Sequence, residues 1–232
     1  MAEEKIIIIK KSRLILIAVA IIVIVALVIS WNSLFQSNSD NVTEYIAADS
    51  PIMGNADIYV IEFSDYECPY CQASEGFNQN VIDRLKSSFP GWEAPIPKIR
   101  EEYVETGKVS LVFRTYPLHD NKNPALAVKC AQEQGMFWEY HDLLFENYNS
   151  MSDTDLKKYA LDLGLDMNQF NQCLESKKYQ SSMENDLNDG RALGVSGTPT
   201  FFIGNDEIGY EMLVGAYSFS DFAQIIESKI SV

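Results

Sequence analysis

Two short segments, Cys68-Pro69-Tyr70-Cys71 and Ser196-Gly197-Thr198-Pro199-Thr200, decide the fold of this 232-residue chain. The first segment places two thiols one helical turn apart, and the second places a proline directly before the apolar run Phe201-Phe202-Ile203. A CxxC motif alone is compatible with a zinc knuckle, a redox pair or a chance occurrence. We do not expect a zinc site, because the four cysteines include no second paired motif at a usable spacing.

Runs of β-favouring residues accompany both segments. Ile58–Phe63 is apolar on both faces, as a buried central strand requires, and the CxxC follows it closely. A helical pattern comes next, and Val109–Tyr116 predicts another strand. Between them, Phe89–Pro97 contains three prolines and interrupts the helical pattern, which resumes at Lys98. We interpret this proline-rich loop as a surface embellishment rather than a contact for a partner.

An all-helical pattern occupies about residues 121–193. It begins near Asn123 and Pro124, which are typical of an N-cap and of a first helical position. Two strand patterns and a last amphipathic helix follow, at Thr200–Ile203, about Glu211–Val214 and Ser220–Ile230. The predicted order is therefore β-α-β, a helical block, and then β-β-α.

Together these features resemble the DsbA-like branch of the thiol-disulfide oxidoreductases, which belong to the thioredoxin superfamily. The matching segments are Glu62–Glu67 before the CxxC, Phe137–His141 in the helical block and Gly194–Phe202 around the Thr-Pro. The resemblance extends from about residue 54 to the C-terminus. It implies an α/β protein with a thioredoxin fold, an all-helical insertion and a thiol chemistry that needs no cofactor.

Cys68 and Cys71 are the predicted redox pair. A sulfur at the start of a helix lies over unpaired N–H groups and the positive end of the helix, which stabilises a thiolate. We therefore assign Cys68 as the exposed, attacked sulfur and Cys71, one turn deeper, as the resolving partner. We expect a reduction potential above that of thioredoxin. Because Tyr70 cannot supply the cation that a histidine could, this potential need not reach the extreme of the family.

The resemblance assigns further roles around the cysteines. Pro199 would be a cis proline and the backbone of Thr198 would pair with substrate, with Pro69 and Tyr70 completing the substrate-binding surface; an ordinary trans turn is the alternative. Glu62 would be buried beneath the pair and assist proton transfer to the inner cysteine, since burial raises the pKa of a carboxyl group. The alternative is a Glu62 side chain that reaches solvent.

Cys130 and Cys173 fall outside the CxxC, on two predicted helices of the insertion. We favour a structural disulfide between them, closing a loop of about 44 residues, over two separate buried thiols. Of the two histidines, His141 is expected in the core of the insertion. His119 follows the end of a strand near the active-site face. It is a weaker candidate for a functional role than the cysteines, Glu62 or Pro199.

The N-terminal residues predict a membrane anchor. No charged residue lies between Arg13 and Asp40, and the apolar run Leu14–Trp31 would form a helix of about 27 Å, enough to cross a bilayer. Basic residues precede this run and none follows it until Arg84, which predicts a cytoplasmic N-terminus and an extracytoplasmic catalytic domain. A cleaved signal peptide is the alternative, disfavoured by the length of the run and the lack of a small-x-small cleavage site.

The predicted organisation of this single-pass membrane protein therefore has four parts: a cytoplasmic segment 1–13, a transmembrane anchor 14–31, a linker 32–55 and a thioredoxin-like domain 56–232. Charge is distributed unevenly among them. Four of the 18 basic and two of the 33 acidic residues precede residue 14, so the remainder carries a formal net charge of −17. Such a surface repels phosphate backbones and argues against nucleic-acid binding.

The predicted function is a disulfide oxidase that introduces disulfides into exported, thiol-containing client proteins through a mixed disulfide on Cys68. The resemblance implies a membrane quinone-linked partner that reoxidises the pair. Two alternatives remain open at this point. One is an extracytoplasmic reductase or isomerase, for instance in cytochrome maturation, and the other is a non-catalytic chaperone or binding module.

Overall fold

The computed structural model of the chain describes residues 50–231. The predicted cytoplasmic segment, the predicted anchor and most of the predicted linker lie outside the described residues. Between residues 50 and 231, no helix combines the length and the apolar character needed to cross a membrane.

A mixed sheet forms the centre of the described fold. Its strands are β1 (Ile52–Met53), β2 (Tyr59–Ser64), β3 (Ser110–Thr115), β4 (Thr200–Asn205) and β5 (Gly209–Val214). They lie in the spatial order β1-β3-β2-β4-β5, with β2 parallel to β3 and antiparallel to β4. The predicted central strand is therefore confirmed, and its residues are buried from Val60 to Ser64. The short edge strand β1 lies in the stretch that the sequence assigned to the linker.

Helices outside the insertion are α1 (Pro69–Ser74), α2 (Gln79–Ser88), α3 (Pro95–Ile99) with a π-helical continuation (Arg100–Val104), and α9 (Phe219–Ile230). The helical pattern after the CxxC is not continuous. Gly76 has φ +88° between α1 and α2, and the side chain of Asn78 caps α2 by accepting from the backbone N–H of Val81. Helix α3 begins three residues earlier than predicted, since proline fits the first turn of a helix.

The all-helical insertion is confirmed between β3 and β4. It consists of α4 (Asn123–Gln132), α5 (Phe137–Glu146), α6 (Asp153–Asp162), α7 (Met167–Glu175) and α8 (Gln180–Ala192). Asn123 is the first residue of α4 rather than its N-cap, a position that Lys122 occupies. A disulfide joins Cys130 on α4 to Cys173 on α7, which is the pairing that the sequence favoured.

The largest hydrophobic core cluster joins the CxxC to the insertion. Cys68 and Cys71 share this cluster with Tyr66, with Phe113 on β3 and with buried side chains of α4 to α7 such as Leu144. Helix α1 therefore rests on the insertion as well as on the sheet.

A buried ionic cluster fastens the far end of the insertion to β3. The guanidinium of Arg114, which is 1% exposed, donates to Asp186 on α8 at 2.8 Å. Asp186 also accepts from the hydroxyl of Thr115 at 2.7 Å and faces the ammonium of Lys129 on α4 at 3.0 Å. Three elements thus meet at one buried carboxylate.

Candidate active site

Cys68 is the N-cap of α1, four residues beyond the end of β2. Its backbone N–H donates to the carbonyl of Asp65 at 3.0 Å, and its carbonyl accepts from Gln72 at 3.0 Å, which fixes the turn from strand to helix. Its side chain is less open than predicted: Cys68 is 7% exposed and Cys71 is fully buried. Cys68 remains the more accessible of the two sulfurs.

The two thiols have opposite proton affinities. The pKa of Cys68 is lowered to about 6: a hydrogen bond from Cys71 is the largest cause, burial acts in the other direction, and a hydrogen bond with Thr198 also lowers the pKa. Burial raises the pKa of Cys71 well above its usual value, and the hydrogen bond to Cys68 acts the same way. At neutral pH the pair therefore consists of a thiolate at Cys68 and a thiol at Cys71.

The Thr198-Pro199 segment lies against Cys68 and contains a cis peptide bond. Sγ of Cys68 lies 3.3 Å from the backbone carbonyl oxygen of Thr198, to which it donates when the thiol is protonated. The hydroxyl of Thr200 donates to the carbonyl of Gly197 at 2.7 Å and ties the segment to the start of β4. The structure thus brings together two motifs that are 130 residues apart in sequence.

A cavity of about 750 Å³ opens beside these motifs, with Tyr70 and Thr198 in its wall. Tyr70 is 50% exposed, and the opposite wall includes Phe89, also exposed, and Trp92. The indole N–H of Trp92 donates to the carbonyl of Ala216 at 3.0 Å, which fixes the proline-rich loop to the segment after β5. The proline-rich loop is therefore more than an embellishment, because it builds one side of this cavity.

Glu62 lies on β2 between Phe113 and Phe201 of the neighbouring strands and is fully buried. Neither of its carboxyl oxygens has a hydrogen-bond partner of normal geometry among the described residues. Burial raises the pKa of Glu62 well above its usual value, and the nearby charge of Glu75 adds to the effect. The alternative, a Glu62 side chain that reaches solvent, is therefore wrong.

Glu75 is a second buried carboxyl group that the sequence analysis did not single out. It lies one turn after Cys71, and its backbone N–H donates to the Cys71 carbonyl at 3.0 Å. Its carboxylate contacts Nε2 of His141 at 3.2 Å and lies 3.7 Å from the guanidinium of Arg100. Although burial opposes the shift, His141 and Arg100 lower the pKa of Glu75. Its spacing of four residues from Cys71 was the available signal.

Arg100 and His141 have further partners on the side away from Glu75. Arg100 donates to the half-exposed carboxylate of Asp142 at 2.8 Å and lies over the ring of Trp138. Nδ1 of His141 is hydrogen-bonded to the hydroxyl of Tyr66 at 3.0 Å. His141 is fully buried, as expected for the insertion core, but it belongs to a polar cluster next to the cysteines.

His119 lies on the loop after β3, and Asp65 orders this loop. One carboxylate oxygen of Asp65 accepts from the backbone N–H groups of Leu118 and His119, at 2.7 and 3.1 Å. The same oxygen contacts Nδ1 of His119 at 2.7 Å, and this hydrogen bond raises the pKa of His119. The backbone carbonyl of Asp65 also accepts from the N–H of Cys68, so Asp65 joins this loop to the start of α1.

Comparison with known families places residues 91–228 in a family described as Thioredoxin. The match begins after α2 and so leaves out the CxxC. A protein named Na(+)/H(+) antiporter NhaA 3 from Salinispora tropica is 34% identical over 152 residues, which are 64% of this chain and 20% of that protein. An antiporter NhaA from Herminiimonas arsenicoxydans is 30% identical over 150 residues, covering 64% and 21%. The chain spans about a fifth of the length of these relatives.

Several solved structures share the fold. BdbD from Bacillus subtilis superposes with a TM-score of 0.64 and 21% identity, over 79% of this chain and 94% of that one. α-DsbA1 from Wolbachia pipientis gives a TM-score of 0.65 and 24% identity, over 80% and 92%. A thioredoxin-like oxidoreductase from Silicibacter pomeroyi gives 0.57 and 23%, over 84% and 98%. At these identities the likeness establishes a DsbA-like thioredoxin fold.

Proposed function

Because the chain belongs to the thioredoxin family, we propose that it is a thiol-disulfide oxidoreductase that introduces disulfides into exported proteins. The observation that carries the proposal is the state of Cys68: its pKa is lowered to about 6, and its sulfur lies 3.3 Å from the carbonyl of Thr198 beside the cis proline. A stabilised thiolate is a good leaving group in thiol–disulfide exchange. The reduced form of such a pair is favoured, so the oxidised form readily takes electrons from other thiols.

The proposed reaction has two exchanges. A client thiolate attacks Sγ of Cys68 in the oxidised enzyme; the client–Cys68 bond forms, the Cys68–Cys71 bond breaks, and the electron pair leaves on Cys71. The raised pKa of Cys71 means that this sulfur then takes up a proton. A second client thiolate attacks the client sulfur of the mixed disulfide and displaces Cys68 as a thiolate. The client is oxidised by two electrons and the CxxC is reduced by two.

The cavity beside Tyr70 and Thr198 supports an unfolded polypeptide as the substrate. It is lined largely by apolar side chains from the proline-rich loop and from the segment after β5, and its wall includes Thr198, whose carbonyl contacts Cys68. Exposed aromatic groups, Tyr70 and Phe89, suit apolar segments that a folded client would bury.

An extracytoplasmic location and a quinone-linked reoxidising partner are part of the proposal. The Cys130–Cys173 disulfide supports an oxidising compartment, since such bonds persist mainly outside the cytosol. We propose that the apolar run 14–31 anchors the chain with its N-terminus in the cytoplasm. Accessibility of residues after 32 to a protease added to intact spheroplasts tests this topology, and protection of the whole chain would contradict it.

The test of activity compares the oxidised full chain with Cys68→Ser on a reduced, unfolded client protein. The wild-type chain should convert client thiols to disulfides with loss of one enzyme disulfide per client disulfide. Cys68→Ser and Cys71→Ser should both have no activity, because neither variant can hold the enzyme disulfide that accepts the electrons of the client thiols. If wild type and Cys68→Ser oxidise the client equally, Cys68 does not catalyse the reaction. Of the functions considered, only the non-catalytic chaperone or binding module would then remain.

The direction of electron flow needs a separate measurement. Trapping of thiols in intact cells should find Cys68 and Cys71 oxidised if the protein is a donor of disulfides. A pair that is mainly reduced in cells, with a potential near or below about −270 mV, the thioredoxin level, would favour the reductase or isomerase instead.

A further inference from the structure

Strand β5 has one open edge, because β4 pairs with its other side and the sheet of residues 50–231 ends at β5. The backbone N–H of Gly215, directly after β5, donates to the carbonyl of Pro199 at 2.8 Å, which makes these two a hydrogen-bonded pair in the register of β4 and β5. Along an antiparallel ladder, such pairs alternate with pairs that are not bonded. Leu213 therefore turns its N–H and C=O toward β4, whereas Met212 and Val214 turn theirs outward.

The outward groups of Met212 and Val214 make no hydrogen bond within the part of the chain that the structure describes. Their side chains are 45% and 44% exposed. Met212 lies opposite Phe202, so both side chains continue the sheet face that carries Phe202. The hydrophobic cluster around Phe202 is covered by Leu187 and Leu193, in and just after α8, but this cover leaves the two β5 side chains open. Unpaired backbone groups and exposed apolar side chains thus occur together at this edge.

Folded proteins usually protect an open strand edge by making it short, by covering it, or by placing a charge or a proline on it. The opposite edge strand β1 has two residues, and at the far end of β5 the ammonium of Lys229 donates to the carbonyl of Gly209 at 2.9 Å. Residues 212–214, at the active-site end, are Met, Leu and Val, and the charged Glu211 before them projects from the other sheet face. An unprotected apolar edge of this kind is a template for an added strand.

The open edge is continuous with the proposed client site. Val214 lies in the wall of the cavity that also contains Thr198, whose carbonyl oxygen is 3.3 Å from Sγ of Cys68. Neighbouring strands are about 4.8 Å apart, so a strand added beyond β5 would lie three spacings, about 14 Å, from β2, which leads to Cys68. An extended chain covers this distance with about four or five residues.

We propose that a client segment docks on the open edge of β5 as an added strand, paired to the backbone of Met212 and Val214, while a client cysteine about four or five residues away reaches Cys68. This inference rests on the proposed function and deepens it by assigning a substrate class. The class is unfolded clients in which an extended segment with apolar side chains at alternate positions lies near the reactive cysteine, since these side chains pack against Met212 and Val214. A second copy of this chain is a poorer occupant, because its strongly acidic exported part would be repelled.

Amide hydrogen exchange of the full chain, followed by NMR, tests this pairing with a synthetic peptide as the probe. The peptide carries serine in place of its cysteine, then about four polar residues and the segment Val-Thr-Val-Thr-Val. In an excess of peptide, the amides of Met212 and Val214 should exchange at least about tenfold more slowly. The amide of Leu213, which faces β4, should be protected with or without peptide. A peptide with Val-Pro-Val-Pro-Val is the matched control and should protect neither outward amide, because proline cannot donate to the ladder.

Two variants at Met212 separate the backbone from the side chain. Met212→Pro removes an outward N–H and Met212→Thr keeps it, so the dissociation constant of the peptide should rise by about tenfold or more in the first and by less in the second. Unchanged exchange at Met212 and Val214 in excess peptide would overturn the proposal, even where Met212→Pro fails to fold. So would protection without peptide that rises with protein concentration, which would assign the edge to a second copy. Because the probe has no thiol, this result is independent of the outcome with Cys68→Ser.

Discussion

The thiol of Cys68 lies 3.3 Å from the backbone carbonyl of Thr198, a residue 130 positions further along the chain. This contact joins the start of α1 to the segment that begins β4, so the reactive sulfur and the cis proline share one surface. Thr198 presents its carbonyl oxygen to Cys68, and under the proposed function a client sulfur would pass the backbone of Thr198 to reach Cys68.

The first prediction concerns the reactivity of Cys68. Alkylation of the reduced chain at limiting iodoacetamide should modify Cys68 alone, with a rate that rises through a midpoint near pH 6, because the hydrogen bond from Cys71 lowers the pKa of Cys68 to about 6. Mass spectrometry of the modified peptide gives the site, and the pH–rate profile gives the midpoint. A midpoint at the value of an ordinary thiol would contradict the assignment of Cys68 as the stabilised thiolate.

The second prediction concerns stability and Glu62. Its pKa is raised in the folded state, so its contribution to stability is complete below the pKa of the unfolded chain and is lost as the pH rises through the folded-state pKa. Glu62→Gln should therefore increase the free energy of unfolding more at about pH 8.5 than at about pH 4, by at least about 1 kcal/mol. Urea titrations at both pH values measure this, with Glu101→Gln as the exposed control.

Local sequence patterns were sufficient to predict the strands next to the CxxC and Thr-Pro motifs. The apolar run before the CxxC predicted β2, and the proline before Phe201 predicted the start of β4, because strand periodicity and proline geometry are properties of neighbouring residues. The same locality explains the errors in helix boundaries. A helix that ends at a glycine with positive φ, as at Gly76, differs little in sequence from one that continues to Val81.

Local sequence patterns could not predict the polar cluster next to the cysteines. Glu75, Arg100 and His141 come from three separate elements, and each was compatible with a solvated or packed position. Their partnership follows from the packing of α5 and the π-helical segment against α1, which no local period encodes. The cavity wall at Trp92 was missed for the same reason, since it depends on a hydrogen bond to Ala216, 124 residues away.

The third prediction concerns the buried carboxylate Asp186. Asp186→Asn should lower the free energy of unfolding by about 3 kcal/mol, because it leaves Arg114 and Lys129 buried without their common counter-charge. Asp189→Asn is the matched control: Asp189 also binds Arg114, but its side chain is 27% exposed, and its loss should cost about 1 kcal/mol or less. If the two variants lose equal free energy of unfolding, the burial of Asp186 between Arg114 and Lys129 does not account for the stabilisation.

The fourth prediction concerns the disulfide of the insertion. Replacing Cys130 and Cys173 together by alanine should lower the free energy of unfolding by up to about 4 kcal/mol, since the bond restricts the unfolded chain over a long loop. The midpoint for alkylation of Cys68 should stay near pH 6, because neither Cys130 nor Cys173 is among the groups that shift the pKa of Cys68. A double variant as stable as wild type would show that the bond has no structural role.

The fifth prediction connects helix α8 with the active site through Gly190. A Cβ at this position would lie 2.5 Å from the ring of Tyr116 and 3.1 Å from that of Phe63, so Gly190→Ala must displace one of these rings. Tyr116 donates to the carbonyl of Val195 at 3.0 Å, three residues before Thr198. The variant should therefore lose about 1–3 kcal/mol of stability and also change the rate of alkylation at Cys68.

Asn185→Ala, at an exposed site on the same helix, is the control for this variant, because it tests the effect of an added alanine without a clash. It should retain the stability and the alkylation rate of wild type. If Gly190→Ala lowers stability while Cys68 keeps its wild-type rate, then the position of Tyr116 does not control the Thr198 segment. The hydrogen bond to Val195 would then only fasten α8 to the sheet, and the geometry around Cys68 would depend on the packing of β4 alone.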